Sequence, residues 1–309
     1  MPPNVIRNPM ASFNFLKQAQ LYLVWNNKQY NIDMQEISFS QTFTEDSYSV
    51  KTLHSQDMFE GSVINKANPA NFSFTMPVLR EDDLSVVVDR LVDYDTVDLY
   101  ISTQQDVFKI EYAILTNGSF VIEKSRPLSL EVSGQASKLS KVGAANSYTI
   151  PGTVQSRSLT RTFNLLNYMQ ITLGVSDIST EVFKVGIELQ NDIEWTPYTT
   201  VQGAAIATSA ANSQFPTAFT VTKRILAGSL ERYITDSNAG DLQNWSKDIA
   251  LRIRAGQKVG STIYGFDVNM AHCSFTNRTN VNEVFTQSYD WRMNYNPSSL
   301  SDVINYLTQ

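Results

Sequence analysis

The chain has 309 residues, of which 42% are hydrophobic and 17% charged, and its formal net charge is −6. That length divides into about two domains, and the apolar share is enough to build a core in each. Residues 1–150 carry 17 acids and 12 bases and residues 151–309 carry 13 and 12, so no basic footprint for gripping nucleic acid is present.

The first apolar stretch, SFNFLKQAQLYL at residues 12–23, returns as TFNLLNYMQITL at 162–173. At an offset of 150, five positions are identical: Phe13/Phe163, Asn14/Asn164, Leu16/Leu166, Gln20/Gln170 and Leu23/Leu173. An offset near half the chain suggests one unit used twice. The strand Gln18–Trp25 is expected to turn at Asn26-Asn27. Glu36–Phe43 alternates, with Ile37 and Phe39 on one face and Ser38 and Ser40 on the other. Residues 44–70 lack strong periodicity and read as a long loop. Its apolar side chains Tyr48, Val50, Leu53, Met58, Phe59, Val63 and Ile64 need a surface, which suggests a partner-binding arm.

Alternation resumes at Asn71–Met76, with Phe72, Phe74 and Met76 opposite Ser73 and Thr75. Arg80–Val92 is expected to be a helix, because Leu84, Val87, Val88 and Leu91 form one apolar stripe and Glu81, Asp82 and Asp83 favour its first turn. Strands are expected at Val97–Ser102, Val107–Leu115, Ser119–Ile122 and Leu128–Ser133, with a hairpin turn at Asn117-Gly118. Leu128, Leu130 and Val132 alternate with Ser129, Glu131 and Ser133. Residues 134–158, rich in Ser, Gly and Ala, read as the linker, giving domains at 1–150 and 151–309.

In the second half, strands are expected at Met169–Val175, Val182–Leu189 and Asp192–Thr196. DIEWT aligns with EISFS, and Phe219–Thr222 with Phe72–Thr75. A loop of small residues at Thr199–Pro216 then stands where 44–70 stood. Further strands are read at Leu230–Ile234, Ala250–Arg254, Tyr264–Phe275 and Ser288–Tyr295, a short helix at Asp241–Ala250, and a polar tail at 296–309 with short-helix character. The fold class is mainly β (α+β): two tandem sandwich-like or half-barrel units, each with one flanking helix.

Signals for chemistry are sparse. His54 and His272 are the only histidines and Cys273 the only cysteine, so disulfides and His-rich metal sites are not expected. Cys273 and His272 are neighbours on a strand and point to opposite faces. No Walker, GxGxxG or GxSxG motif is present, and neither a cofactor, a metal nor an enzymatic activity is expected. The N-terminal MPPNVIRNPM lacks an apolar signal region, and no run approaches the 18 apolar residues a membrane helix needs. The four N-x-S/T sequons read as incidental in a chain this rich in Ser and Thr.

One pattern does point to a role. The non-aromatic strand faces read Ser38, Ser40, Ser73, Thr75, Ser129, Glu131 and Ser133, then Glu194, Thr196, Thr220, Thr222, Asp290, Arg292 and Asn294. These residues are short, polar and faintly acidic. They suit a solvated sheet face, or the lining of a channel that passes a polyanion without retaining it.

The order EISFSQTF, loop, NFSFTM, EDDLSVVVDRLV, PLSLEVSG, with DIEWT, AFTVT, DLQNWSKDIA and SYDWRMN, resembles phage tail tube proteins. It is most similar to siphophage tubes with two such domains fused in one chain. The resemblance is of order and pattern across nearly the whole chain. It implies homotrimeric, pseudo-hexameric rings stacked into a DNA-conducting tube in the virion, assembled in the host cytoplasm. It also implies a ring-stacking role for 44–70. Implied partners are further copies of the chain, a tape measure protein, a tail terminator and baseplate proteins, with viral DNA in transit, unbound, and no membrane. A distal tail or baseplate hub ring fits the same pattern, and a two-domain carbohydrate-binding or adhesin module is the alternative from another class.

Overall fold

The computed structural model describes residues 18–49, 60–78, 81–123, 126–156, 166–196, 215–235, 248–281, 284–295, 297 and 302–308. The first half opens on a hairpin, β1 (Gln20–Trp25) and β2 (Lys28–Ile32). Its turn residues Asn26 and Asn27 both hold positive φ, 46° and 58°, which Asn tolerates better than most residues. β3 (Glu36–Ser40) leads into β4 (Phe43–Ser49) and β5 (Glu60–Ala67), which among the described strands pair only with each other. β6 (Ala70–Pro77) returns antiparallel to β3, and α1 (Glu81–Asp93) follows. A meander of β7 (Val97–Ser102), β8 (Asp106–Glu123) and β9 (Ser129–Ala144) completes the unit, and β10 (Thr153–Val154) lies parallel to β2.

The second half contains β11 (Tyr168–Leu173), β12 (Ser176–Asp177), β13 (Val182–Trp195), β14 (Phe219–Tyr233), β15 (Ile249–Val259), β16 (Thr262–Val281), β17 (Phe285–Met293) and β18 (Ile304–Thr308). Its pairings copy those of the first: β1·β7 returns as β11·β15, β3·β6 as β13·β14, β6·β9 as β14·β17, β7·β8 as β15·β16 and β8·β9 as β16·β17. Even an irregularity recurs. β8 gains one residue against β7 between Ile110 and Ala113, and β16 does so against β15 between Met270 and Cys273. The halves are fused by β8·β13, antiparallel from Lys184↔Glu123 to Gln190↔Asn117, into one 16-stranded sheet.

β8 and β16 each pair with different strands along their length, so the sheet folds over and its two layers share one core. The inner layer runs β3-β6-β9-β8-β13-β14-β17-β16. Its apolar face, with Phe74, Val132, Ile187, Leu226 and Trp291, meets Leu23, Leu99, Leu251 and Val268 from the outer layer. The stripe of α1 is buried there as expected, at Val87, Val88 and Leu91. At its C-terminal end, side chains of the second half supply donors for carbonyls the helix cannot satisfy itself. Asn191 Nδ2 donates to the Leu91 carbonyl at 2.8 Å, Arg224 Nη2 donates to the Val92 carbonyl, and Arg224 Nε donates to Asn191 Oδ1 at 2.9 Å.

Several expectations need correction. Asn117-Gly118 is no turn, because β8 runs straight through it. A Cβ on Gly118 would lie 2.5 Å from Leu91 Cδ2, so the glycine lets the helix approach the sheet. β9 continues to Ala144, so the first part of the 134–158 linker is strand. Its small residues serve packing: Gly134 sits under Phe72, whose Cζ would be 2.4 Å from an added Cβ. The 44–70 loop contains the β4–β5 ribbon, Val182–Leu189 and Asp192–Thr196 merge into β13, and Leu230–Ile234 is the end of the long β14. The tail forms β18 on β16 in place of a helix. The expected helix at 241–250 lies outside the described residues, apart from Asp248 and the first residues of β15.

The halves also align differently from DIEWT on EISFS. Counting outward from the shared irregularity, Ser133 on β9 corresponds to Asp290 on β17. Ser73 on β6 then corresponds to Ser229, and Ser38 on β3 to Gly186. EISFS therefore matches Lys184–Glu188, and DIEWT matches the β4 side of the ribbon.

Candidate functional site

The outward face of the inner layer is continuous across both halves. One row of directly opposed residues runs Glu36–Thr75–Glu131–Ser119–Glu188–Ala227–Arg292–Ser274, one residue per strand. The adjacent row contains Ser38, Ser73, Ser133, Asn117 and Gln190. The strands alternate, so apolar neighbours point inward and this face keeps short polar side chains. The Ser38 and Ser73 hydroxyls hydrogen-bond across the ladder at 2.8 Å.

Two cations on the face sit beside carboxylates. Lys184 lies 3.5 Å from both Glu123 and Glu231, and Arg278 lies 3.1 Å from Asp290. Exposed pairs of this kind add little stability, but they leave those charges partly neutralised toward a phosphate chain.

Ser38, Ser40, Ser73, Thr75, Ser129, Glu131, Ser133, Asp290 and Arg292 all lie on this face, exposed or half-buried; Asn294, just past β17, is exposed and donates to Ser274 Oγ at 3.1 Å. Glu194, Thr196, Thr220 and Thr222 are exposed but lie elsewhere. β8 pairs with β13 only up to Gln190, and β17 pairs with β14 only from Ala227. These four sit on a two-stranded extension, the counterpart of the β4–β5 ribbon. Lys184, Glu188, Ser229 and Glu231 take their places on the sheet. Spacing from the turns held the signal: Asn26-Asn27 precede Glu36 by the same number of residues as Gly174-Val175 precede Lys184.

The segment leading into β14 meets the start of the ribbon, with the Phe43 and Phe215 rings 6.3 Å apart. Of the apolar arm residues, Ile64 on β5 is 44% exposed. Tyr48 and Val63 belong to the ribbon's backbone, and Val50, Leu53, Met58 and Phe59 lie outside the described residues.

Searches against protein families found no matching family model. No curated protein matches either. Among solved structures, a chain of the anti-feeding prophage baseplate is similar over 45% of this chain and 98% of its own length, at 13% identity and a TM-score of 0.34.

Among the described residues, no cluster of three His, Cys, Asp or Glu side chains could hold a metal ion, and no helix is long and apolar enough to cross a membrane. Cys273 is fully buried, and burial, with the Asp248 carboxylate second, pushes its thiol up to about 12. His272 points away from it and meets Asp248 at 2.9 Å. A thiolate is the reactive species, so iodoacetamide at pH 8 should label the native thiol at least ~100-fold more slowly than the urea-unfolded one. Comparable rates would show the site to be open.

Proposed function

We propose that this chain is a structural subunit of a phage-tail-like particle, with no enzymatic role, whose copies close into rings that stack into a tube passing viral DNA. The observation that carries this is the single small, polar face spread over eight strands from both halves and ending in strand edges that have no neighbour among the described strands. A sheet with one apolar and one polar side closes naturally around a water-filled bore. Three chains would contribute about 24 inner strands, and at ~4.8 Å spacing and ~40° tilt the backbone diameter is roughly 45–50 Å. Side chains would leave a bore of about 35 Å, wider than a duplex of ~20 Å. An acidic lining would let phosphate slide.

Micrographs of the purified protein test the reading. Rings or tubes with a central channel are expected; a monomer at every concentration would sink it, and rings that never stack would favour a terminal hub ring. The β4–β5 ribbon is the candidate stacking arm. Replacing residues 50–59 by a short Gly-Ser turn should leave the melting temperature within a few degrees, because β4 and β5 pair with no other described strand. Tubes should be lost while rings remain. Normal tubes from this variant would reject the stacking role.

A further inference from the structure

The inner layer has two strand edges without a neighbour among the described strands. β3 pairs only with β6, and Ser274–Val281 of β16 pair only with β17. Such edges are commonly blunted by Pro or Lys. EISFS contains neither, and neither does SFTNRTNV. Each open edge has a counterpart in the other half, and those counterparts are joined. β13 holds the place of β3, β8 holds the place of β16, and β8·β13 is the strand pair that fuses the halves. The chain therefore contains one filled example of the joint that its own ends leave unmade.

We infer that the C-terminal part of β16 in one copy pairs antiparallel with β3 of the next copy, in the register of the internal β8·β13 joint. This rests on the ring reading above and specifies which residues meet. Inside the chain, Glu188 faces Ser119 and Gly186 faces Val121. Ser40 and Ser38 are the β3 counterparts of Glu188 and Gly186. Ser119 faces Glu131 on β9 as Arg278 faces Ser288 on β17, so Arg278 stands for Ser119 and Asn280 for Val121. Arg278 thus faces Ser40 of the next copy, and Asn280 faces its Ser38. All four are on the polar side, so the row of short polar residues continues across the boundary. On the other side, buried Ile37 and half-buried Phe39 take the places of Val185 and Ile187. The next copy extends the core as well as the ladder.

Paired cysteines in the full chain test the register. Ser38→Cys with Asn280→Cys, and Ser40→Cys with Arg278→Cys, should give disulfide-linked ladders on mild oxidation that end at the ring size. Directly opposed Cβ atoms lie ~5 Å apart. Ser38→Cys with Thr276→Cys is displaced by four residues, or ~13 Å, and should link at least about tenfold less. The native Cys273 is buried and does not compete. Rings that remain visible in micrographs with neither in-register pair linking would overturn this joint and leave the ring reading standing. Equal linking by the displaced pair would overturn the register. Absence of both rings and linked species would overturn the joint together with the reading it rests on.

Discussion

Trp291→Ala should lower stability by about 3–5 kcal/mol, read as a fall in the urea midpoint at unchanged slope. Trp291 is 1% exposed near the C-terminal end of β17, directly opposite Gly228 on β14. A Cβ on Gly228 would stand 2.5 Å from the indole Cζ2 and 2.0 Å from the Gly186 carbonyl oxygen. The glycine has no room for a side chain and the tryptophan has nowhere else to go. Its truncation therefore leaves a cavity that neighbouring backbone cannot fill. The indole N–H has no hydrogen-bond partner among the described residues, so Trp291→Phe should cost distinctly less than the alanine change. The first half solves the same packing problem with the sizes exchanged: at the equivalent ladder position Phe72 is the large residue and Gly134 the small one. Gly228→Val should match the loss from Trp291→Ala. A shift under ~1 kcal/mol in either variant would mean that the two layers do not meet there.

Asn191→Ala should cost about 2–3 kcal/mol, far more than an exposed asparagine would. Asn191 is 1% exposed and holds the end of α1 with its amide while accepting from Arg224. Removing it leaves the Leu91 carbonyl without that donor and Arg224 Nε without that acceptor. Arg224→Ala removes the second donor to the helix end, together with a guanidinium stacked 5.0 Å over the Tyr94 ring. Because the two side chains are bonded to each other, the double variant should be less destabilised than the sum of the singles, by about 1 kcal/mol or more. Thermal melts of the four proteins of the cycle decide this. Strict additivity would mean that the two do not act as a unit.

The face pattern of β3, β6, α1 and the start of β9 was legible in the sequence, because strict alternation or a helical stripe leaves one assignment for Ile37, Phe39, Phe72, Phe74 and Val87. The antiparallel repeat was legible too, from the return of Gln20 and Leu23 as Gln170 and Leu173. What failed was partner choice and continuity. Asn117-Gly118 has the composition of a turn but is used for close packing under Leu91. Ser137 and Leu139 look like linker residues but are held as strand: Gln41 Nε2 donates to the Ser137 carbonyl at 3.0 Å, and the Leu139 N–H donates to Gln41 Oε1 at 2.9 Å. DIEWT and EISFS share a pattern because both alternate, and alternation does not say which strand lies next door. That ambiguity moved Glu194, Thr196, Thr220 and Thr222 onto a sheet they only adjoin.

The joint between β8 and β13 lies within one polypeptide, so it closes in a first-order step whose extent does not depend on how much protein is present. Dilution can undo only contacts made between separate molecules. In the proposed ring, a tandem chain would thus pass fewer concentration-dependent steps before closure than single modules would, and the covalent backbone would set the alternation of its two unlike arms.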